Sequence, residues 1–198
     1  VPGSSLTYSK LTYRHKYFKP IFDGRFVLGF RGEIGALEPY GDTEVAPFFE
    51  HYYAGGISSV RGFKQNTLGP RAIPSQFYLD NEGNPITGDD GNPILNPYSY
   101  YRDDRSIGGA YLIEGGFDFI FKLPFIEDQR SMRSSFFVDI GNVFSKDCGI
   151  DQSNINCSEL DLGELRYSYG VGVTWITQLG PMSLAIAAPS NEGLSLIH

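Results

Sequence analysis

Cysteine, methionine, tryptophan and histidine are all scarce in this chain: two Cys, two Met, one Trp and three His among 198 residues. So few His and Cys leave no set with metal-ligand spacing, and no metal or cofactor is expected. His15, His51 and His198 are isolated; His51 lies near Glu50, Ser58 and Ser59, but no nucleophile motif accompanies it. No catalytic residue is assigned, and an enzyme (a barrel protease or phospholipase) is a minor alternative. Positive charge is also in deficit: the net charge is −7, so a nucleic-acid partner is not expected. A charged, then apolar leader is missing after Val1, and the chain is expected to be a mature or excised piece. Long apolar runs are absent too. The longest uncharged stretch, Tyr167 to Asn191, is punctuated by Gly170, Gly172, Gly180 and Pro181. It predicts two strands joined by a turn, not a membrane helix.

What the chain has in quantity is glycine (24), phenylalanine (15) and tyrosine (13), and 15% aromatic residues argue against disorder. These residues alternate with period two, and no segment keeps a helical period. Phe26, Leu28, Phe30 and Ile34 oppose Arg25, Val27, Gly29, Arg31 and Glu33. Tyr111, Ile113, Phe117, Phe119 and Phe121 oppose Glu114, Gly116, Asp118 and Lys122. Leu165, Tyr167, Tyr169, Val171, Val173 and Trp175 oppose Arg166, Ser168, Gly170, Gly172 and Thr174. Leu6–Phe18, Arg133–Phe144 and Pro181–Ala188 are further strands.

A soluble sandwich and a membrane barrel share this pattern. Strands of about ten residues, bulky aromatic faces and charged, glycine-rich opposite faces favour the barrel. Loop lengths agree. Short turns at Pro20–Gly24, Pro124–Gln129 and Gln178–Pro181 alternate with a very long loop, about 36–107, and a medium one, Ser145–Glu164. The fold class predicted is therefore all-β, an antiparallel transmembrane β-barrel of the bacterial outer membrane; that it is present as a partial barrel is what the family resemblance given below implies. Within the long loop, EGNPI (Glu82–Ile86) recurs as DGNPI (Asp90–Ile94), which predicts a small hairpin or a tandem of turns. Asp80, Glu82, Asp89 and Asp90 miss the calcium-loop spacing and read as a solvated acidic turn. Cys148 and Cys157 bracket a polar segment and are expected to form a disulfide, in an oxidising compartment such as the periplasm or cell surface. A ring so small stabilises modestly.

The stretch Phe48 to Arg71, FFEHYYAGGISSVRGFKQNTLGPR, resembles the sixth extracellular loop of the BamA family of outer-membrane assembly barrels. Its specific element is VRGF, Val60-Arg61-Gly62-Phe63, preceded by YAGG at Tyr53 to Gly56. Gly108 and Gly109 then open the next strand, and FVDIG, Phe137 to Gly141, matches the family's F-x-D-x-G strand. The resemblance covers Leu6 to Pro189 and implies that Arg61 reaches inside the barrel to Asp139 and Asp118, beside Phe137 and Gly141. Many relatives carry Glu where this chain has the shorter Asp118, which leaves room for a bridging water. A guanidinium suits two lumen carboxylates because it stays charged and forks onto them. The bland alternative is a solvated Arg61 and an ordinary lumen charge at Asp139.

By this resemblance, residues 1–189 are the C-terminal portion of such a barrel, about six full strands of sixteen, and residues 190–198 a truncated or vector-derived tail. The implied partners are nascent outer-membrane β-barrel proteins, outer-membrane lipids and, through periplasmic domains outside this chain, the lipoproteins of the assembly machine. A lone fragment would self-associate through its open strand edges. A two-partner secretion transporter and a plain diffusion porin are the alternatives.

Overall fold

In the computed structural model, residues 6–43, 46–70, 77–78, 80, 84–88, 91–96, 106–123, 132–145, 160–178, 180–190 and 195–197 are described. They form one antiparallel sheet whose strand order follows the chain, β1-β2-β3-β4-β5-β6-β7. The strands are β1 Tyr8–Ile21, β2 Phe26–Pro39, β3 Tyr111–Phe121, β4 Met132–Phe144, β5 Arg166–Thr177, β6 Gly180–Pro189 and β7 Ser195–Ile197. The uncharged stretch is indeed split, with β5 and β6 pairing through Thr177↔Gly180. Six strands have ten or more residues. A ten-residue strand is roughly 33 Å long, which at a tilt of about 40° covers the apolar band of an outer membrane.

Strand boundaries move where pairing extends beyond the alternation. β2 runs on to Pro39 because Tyr8, Ser9 and Lys10 pair with Pro39, Glu38 and Leu37. The long connection therefore begins at Tyr40 and ends at Ala110. At the opposite end, β1 and β2 are joined by a tight turn with Phe22, Asp23 and Gly24 all at positive φ.

One face of the sheet is broadly exposed and apolar: Tyr13, Tyr17, Ile34, Phe136, Val138, Tyr169, Val171 and Trp175 all lie on it. Cross-strand aromatic pairs reinforce it, with ring centroids 5.2 Å apart for Phe26–Phe119 and 5.1 Å for Phe121–Phe136. Such a face needs an apolar solvent rather than water.

The other face is covered by the long loop. Tyr52 bridges to Gly109 and Ala54 to Leu68, folding the segment between them into a compact excursion. The main buried cluster is built from both parties: Ala46, Tyr52, Ala54, Val60, Phe63 and Leu68 of the loop against Leu37, Leu112 and Val143 of the wall. Further out, the described parts of the two repeats, 84–86 and 91–94, lie side by side, with Tyr78, Ile86 and Ile94 exchanging backbone hydrogen bonds of 2.8–3.0 Å. Asp80 accepts from the Asn84 N–H at 2.9 Å, so it caps a turn. Glu82, Asp89, Asp90, Cys148 and Cys157 lie outside the described residues.

Candidate functional site: the loop seated against the inner wall

Alternation on three neighbouring strands sets up the site. Asp118 on β3, and Phe137, Asp139 and Gly141 on β4, point to the covered face, as does Ser168, which the register places opposite Asp139 on β5. Gly116 also lies opposite Asp139. A Cβ at Gly116 would come within 2.8 Å of the Asp139 Oδ1, and one at Gly141 within 2.9 Å of Val60. These two glycines clear the floor on which the loop rests.

The VRGF residues fill that floor. Val60 and Phe63 are buried in the loop–wall cluster. Gly62 sits at φ +99°, and its missing Cβ leaves room for Ala187 and Ser168, each of which would lie 3.1 Å away. Only glycine adopts that backbone without strain. Arg61 meets Asp139 at three points: its backbone N–H donates to Oδ2 at 3.1 Å, Nε to Oδ2 at 2.6 Å and Nη2 to Oδ1 at 2.8 Å. Nη1 donates directly to Asp118 at 2.9 Å, so the shorter carboxylate needs no bridging water. The guanidinium lies over the Phe137 ring, 3.7 Å from its centroid, a cation–π arrangement. The Ser168 hydroxyl donates to the Arg61 carbonyl. Burial alone would push the Arg61 guanidinium down, but the hydrogen bonds and charges of Asp139 and Asp118 outweigh it and hold it above its ordinary value.

Two contributors are not singled out by the motif. Arg31 of β2 places Nη2 2.7 Å from the same Asp139 Oδ1 and donates to the Ser59 carbonyl at 2.8 Å. Asp139 is fully buried, and with Asp118 it balances Arg61 and Arg31, so the four side chains are formally neutral together. Burying unlike charges in equal number is what makes such a cluster tolerable. Glu114 of β3 accepts from the Ser59 hydroxyl, whose oxygen takes the Gly55 N–H at 2.8 Å. Both residues stand on the covered face by their alternation, but only the path of the loop decides which lumen charges it meets.

A second anchor lies nearer β1. The Tyr52 ring fills the space over Gly35, and its hydroxyl donates to the Leu11 carbonyl at 2.8 Å and lies 2.8 Å from the Thr12 hydroxyl. Lys10 covers the same ring at 4.8 Å and pairs with Glu50. His51 hydrogen-bonds the Ile107 carbonyl at 3.1 Å, while the Ser59 hydroxyl is engaged with Glu114. The arrangement can hold a loop inside a barrel; its polar groups face one another.

Comparisons with known proteins agree with this geometry. The Omp85 superfamily domain matches residues 1–193. Outer membrane protein assembly factor BamA of Neisseria meningitidis serogroup B is 32% identical over 207 aligned residues, covering 97% of this chain and 23% of that protein. The crystal structure of BamA from Haemophilus ducreyi lacking POTRA domains 1–3 superposes with a TM-score of 0.73 at 24% identity, over 99% of this chain and 35% of that one. The chain thus spans about a quarter of the curated relative it matches. It belongs to the Omp85 superfamily, and its open sheet is a portion of an outer-membrane β-barrel wall.

Proposed function

We propose that this sheet and its seated loop belong to a barrel that folds and inserts other β-barrel proteins into the outer membrane. The observation that carries the reading is the Arg61 clamp: a loop residue reaches across the lumen face and fixes itself to a fully buried Asp139. The relative from Neisseria meningitidis is named an outer membrane protein assembly factor, which supports this reading. In this reading no covalent chemistry is performed and no cofactor is needed. Arg61, with Asp139, Asp118 and Phe137, braces the loop so that the wall keeps its shape while a client strand pairs elsewhere on the barrel. Nascent β-barrel proteins are the clients. The lipoproteins of an assembly machine are partners through regions beyond this chain, and outer-membrane lipids contact the aromatic face.

The test is reconstitution of the complete barrel in lipid vesicles with a urea-unfolded β-barrel client. Acceleration of client folding, reduced in Arg61→Ala, is the expected result; no acceleration by the unaltered protein defeats the reading. A diffusion porin is disfavoured by the loop, whose Val60 and Phe63 occupy the lumen face. Planar-bilayer recording separates the two: a small flickering conductance for the assembly barrel, a large steady one for a porin.

A further inference from the structure

Three cations form a row at the short-turn end of the inner wall. Arg25 directly precedes Phe26 and Lys122 directly follows Phe121, and Phe26 and Phe121 are the last partners of the β2–β3 ladder. Phe121 in turn faces Ser134, whose preceding residue is Arg133. The row continues onto Thr174, opposite Arg133, and Ser183, which shares a 3.0 Å hydrogen bond with Thr174. Arg25, Lys122 and Arg133 line one groove of about 420 Å³ together with Phe18, Val27 and Ile120.

This arrangement opposes its own stability. Neighbouring strands are about 4.8 Å apart, and like charges facing one another across them repel. None of the three cations is ion-paired among the described residues. The described acids of the inner wall are engaged further along it: Glu33 with Arg14, Asp118 with Arg61, Asp139 with Arg61 and Arg31, and Glu114 with the Ser59 hydroxyl. In a chain of net charge −7, three strands nevertheless deliver cations to one row. An anion lying along the row would relieve the repulsion.

We infer that this row is a docking ledge for an acidic, partly apolar segment of a client polypeptide entering the lumen from the short-turn side. The inference rests on the proposed function for the identity of the client. The groove is on the lumen face, while Phe119 and Phe136 mark the lipid face, so a lipid headgroup would have to leave the bilayer to reach it. A small inorganic anion would leave Phe18, Val27 and Ile120 uncovered. A polypeptide offers carboxylates and apolar side chains together.

The probe is a short fluorescein-labelled peptide of Asp, Leu and Val, titrated by anisotropy onto the complete barrel in nanodiscs. Replacing all three cations (Arg25→Gln, Lys122→Gln, Arg133→Gln) weakens binding by about tenfold, the sum of several exposed charge pairs. The charge-conserving set (Arg25→Lys, Lys122→Arg, Arg133→Lys) keeps it, and added salt weakens it. Resistance to unfolding in SDS shows that each variant is folded, and Lys122→Gln alone gives a smaller loss in the same direction. Unchanged affinity in the triple Gln variant overturns the ledge. So does displacement of the peptide by soluble short-chain phosphatidylglycerol at lower concentration than by unlabelled peptide, which assigns the row to a phosphate headgroup. Client folding by the unaltered protein is measured in parallel. Its failure defeats the proposed function, whereas its success with an insensitive peptide affinity defeats only the ledge.

Discussion

Arg61 holds both carboxylate oxygens of Asp139, a residue 78 positions later in the chain, through Nε at 2.6 Å and Nη2 at 2.8 Å. The backbone N–H of the same arginine adds a third bond to Oδ2. Side chain and main chain therefore converge on one fully buried carboxylate, so the loop is fixed in orientation as well as position. A point charge at the end of a flexible stem could not do both.

The first expected outcome follows from that geometry. Arg61→Ala leaves Asp139 buried with one cation fewer, a loss of about 3–5 kcal/mol for a broken buried pair. Arg61→Lys keeps the charge but cannot span Asp139 and Asp118 together, and falls between wild type and Ala. Limited proteolysis of the long loop in the membrane-embedded protein checks the order. Equal protease sensitivity in wild type and Arg61→Ala would sink the clamp.

Arg31 provides the second test. It shares Asp139 with Arg61 and grips the Ser59 carbonyl at 2.8 Å, so the two arginines are coupled through one carboxylate. Arg31→Gln should expose the loop less than Arg61→Ala. The double variant should depart from additivity by about 0.5–3 kcal/mol, as groups sharing a partner do. Strict additivity in a stability cycle would mean that the two contacts act separately.

Gly62 carries a conformational prediction. At φ +99°, with Ala187 and Ser168 each 3.1 Å from where a Cβ would stand, Gly62→Ala meets backbone strain and crowding at once. The cost is about 1–3 kcal/mol. A lowered unfolding midpoint in detergent, with Arg61 and Asp139 both intact, checks it. An unchanged midpoint would show that the turn relaxes freely.

Alternation made the sheet legible, because facing lipid on one side and a crowded lumen on the other leaves a period-two trace in Phe117, Phe119 and Phe121 against Gly116 and Asp118. The same alternation puts Asp118 and, on the neighbouring strand, Asp139 on one face, the latter opposite Val138 and Ile140, whatever path the loop takes. It could not show that Arg31 would share Asp139, or that Glu114 would take the Ser59 hydroxyl. Those partners depend on the path of residues 46–70, which follows from tertiary contacts, not from periodicity. Tyr52 was equally hidden: an aromatic in a loop leaves no mark of the glycine it will cover.

That tyrosine yields the last prediction. Its ring occupies the space a Gly35 side chain would need, with Cζ 2.5 Å from the position of a Cβ, and its hydroxyl bonds the Leu11 carbonyl. Tyr52→Phe keeps the ring over Gly35 and deletes the hydroxyl's bonds to β1, leaving the Thr12 hydroxyl without that partner, for a loss of about 1–2 kcal/mol. Gly35→Val drives the ring out, so it removes those bonds and the packing together and must cost more. Hydrogen exchange reads the difference at Tyr52 and Gly109, whose amides bond to each other's carbonyls at 2.9 and 3.1 Å. Faster exchange there in Gly35→Val than in Tyr52→Phe, with the Arg61 amide still protected in both, would show two anchors that open independently. Simultaneous loss of protection at Arg61 would instead make the loop a single cooperative unit, released wherever it is first broken.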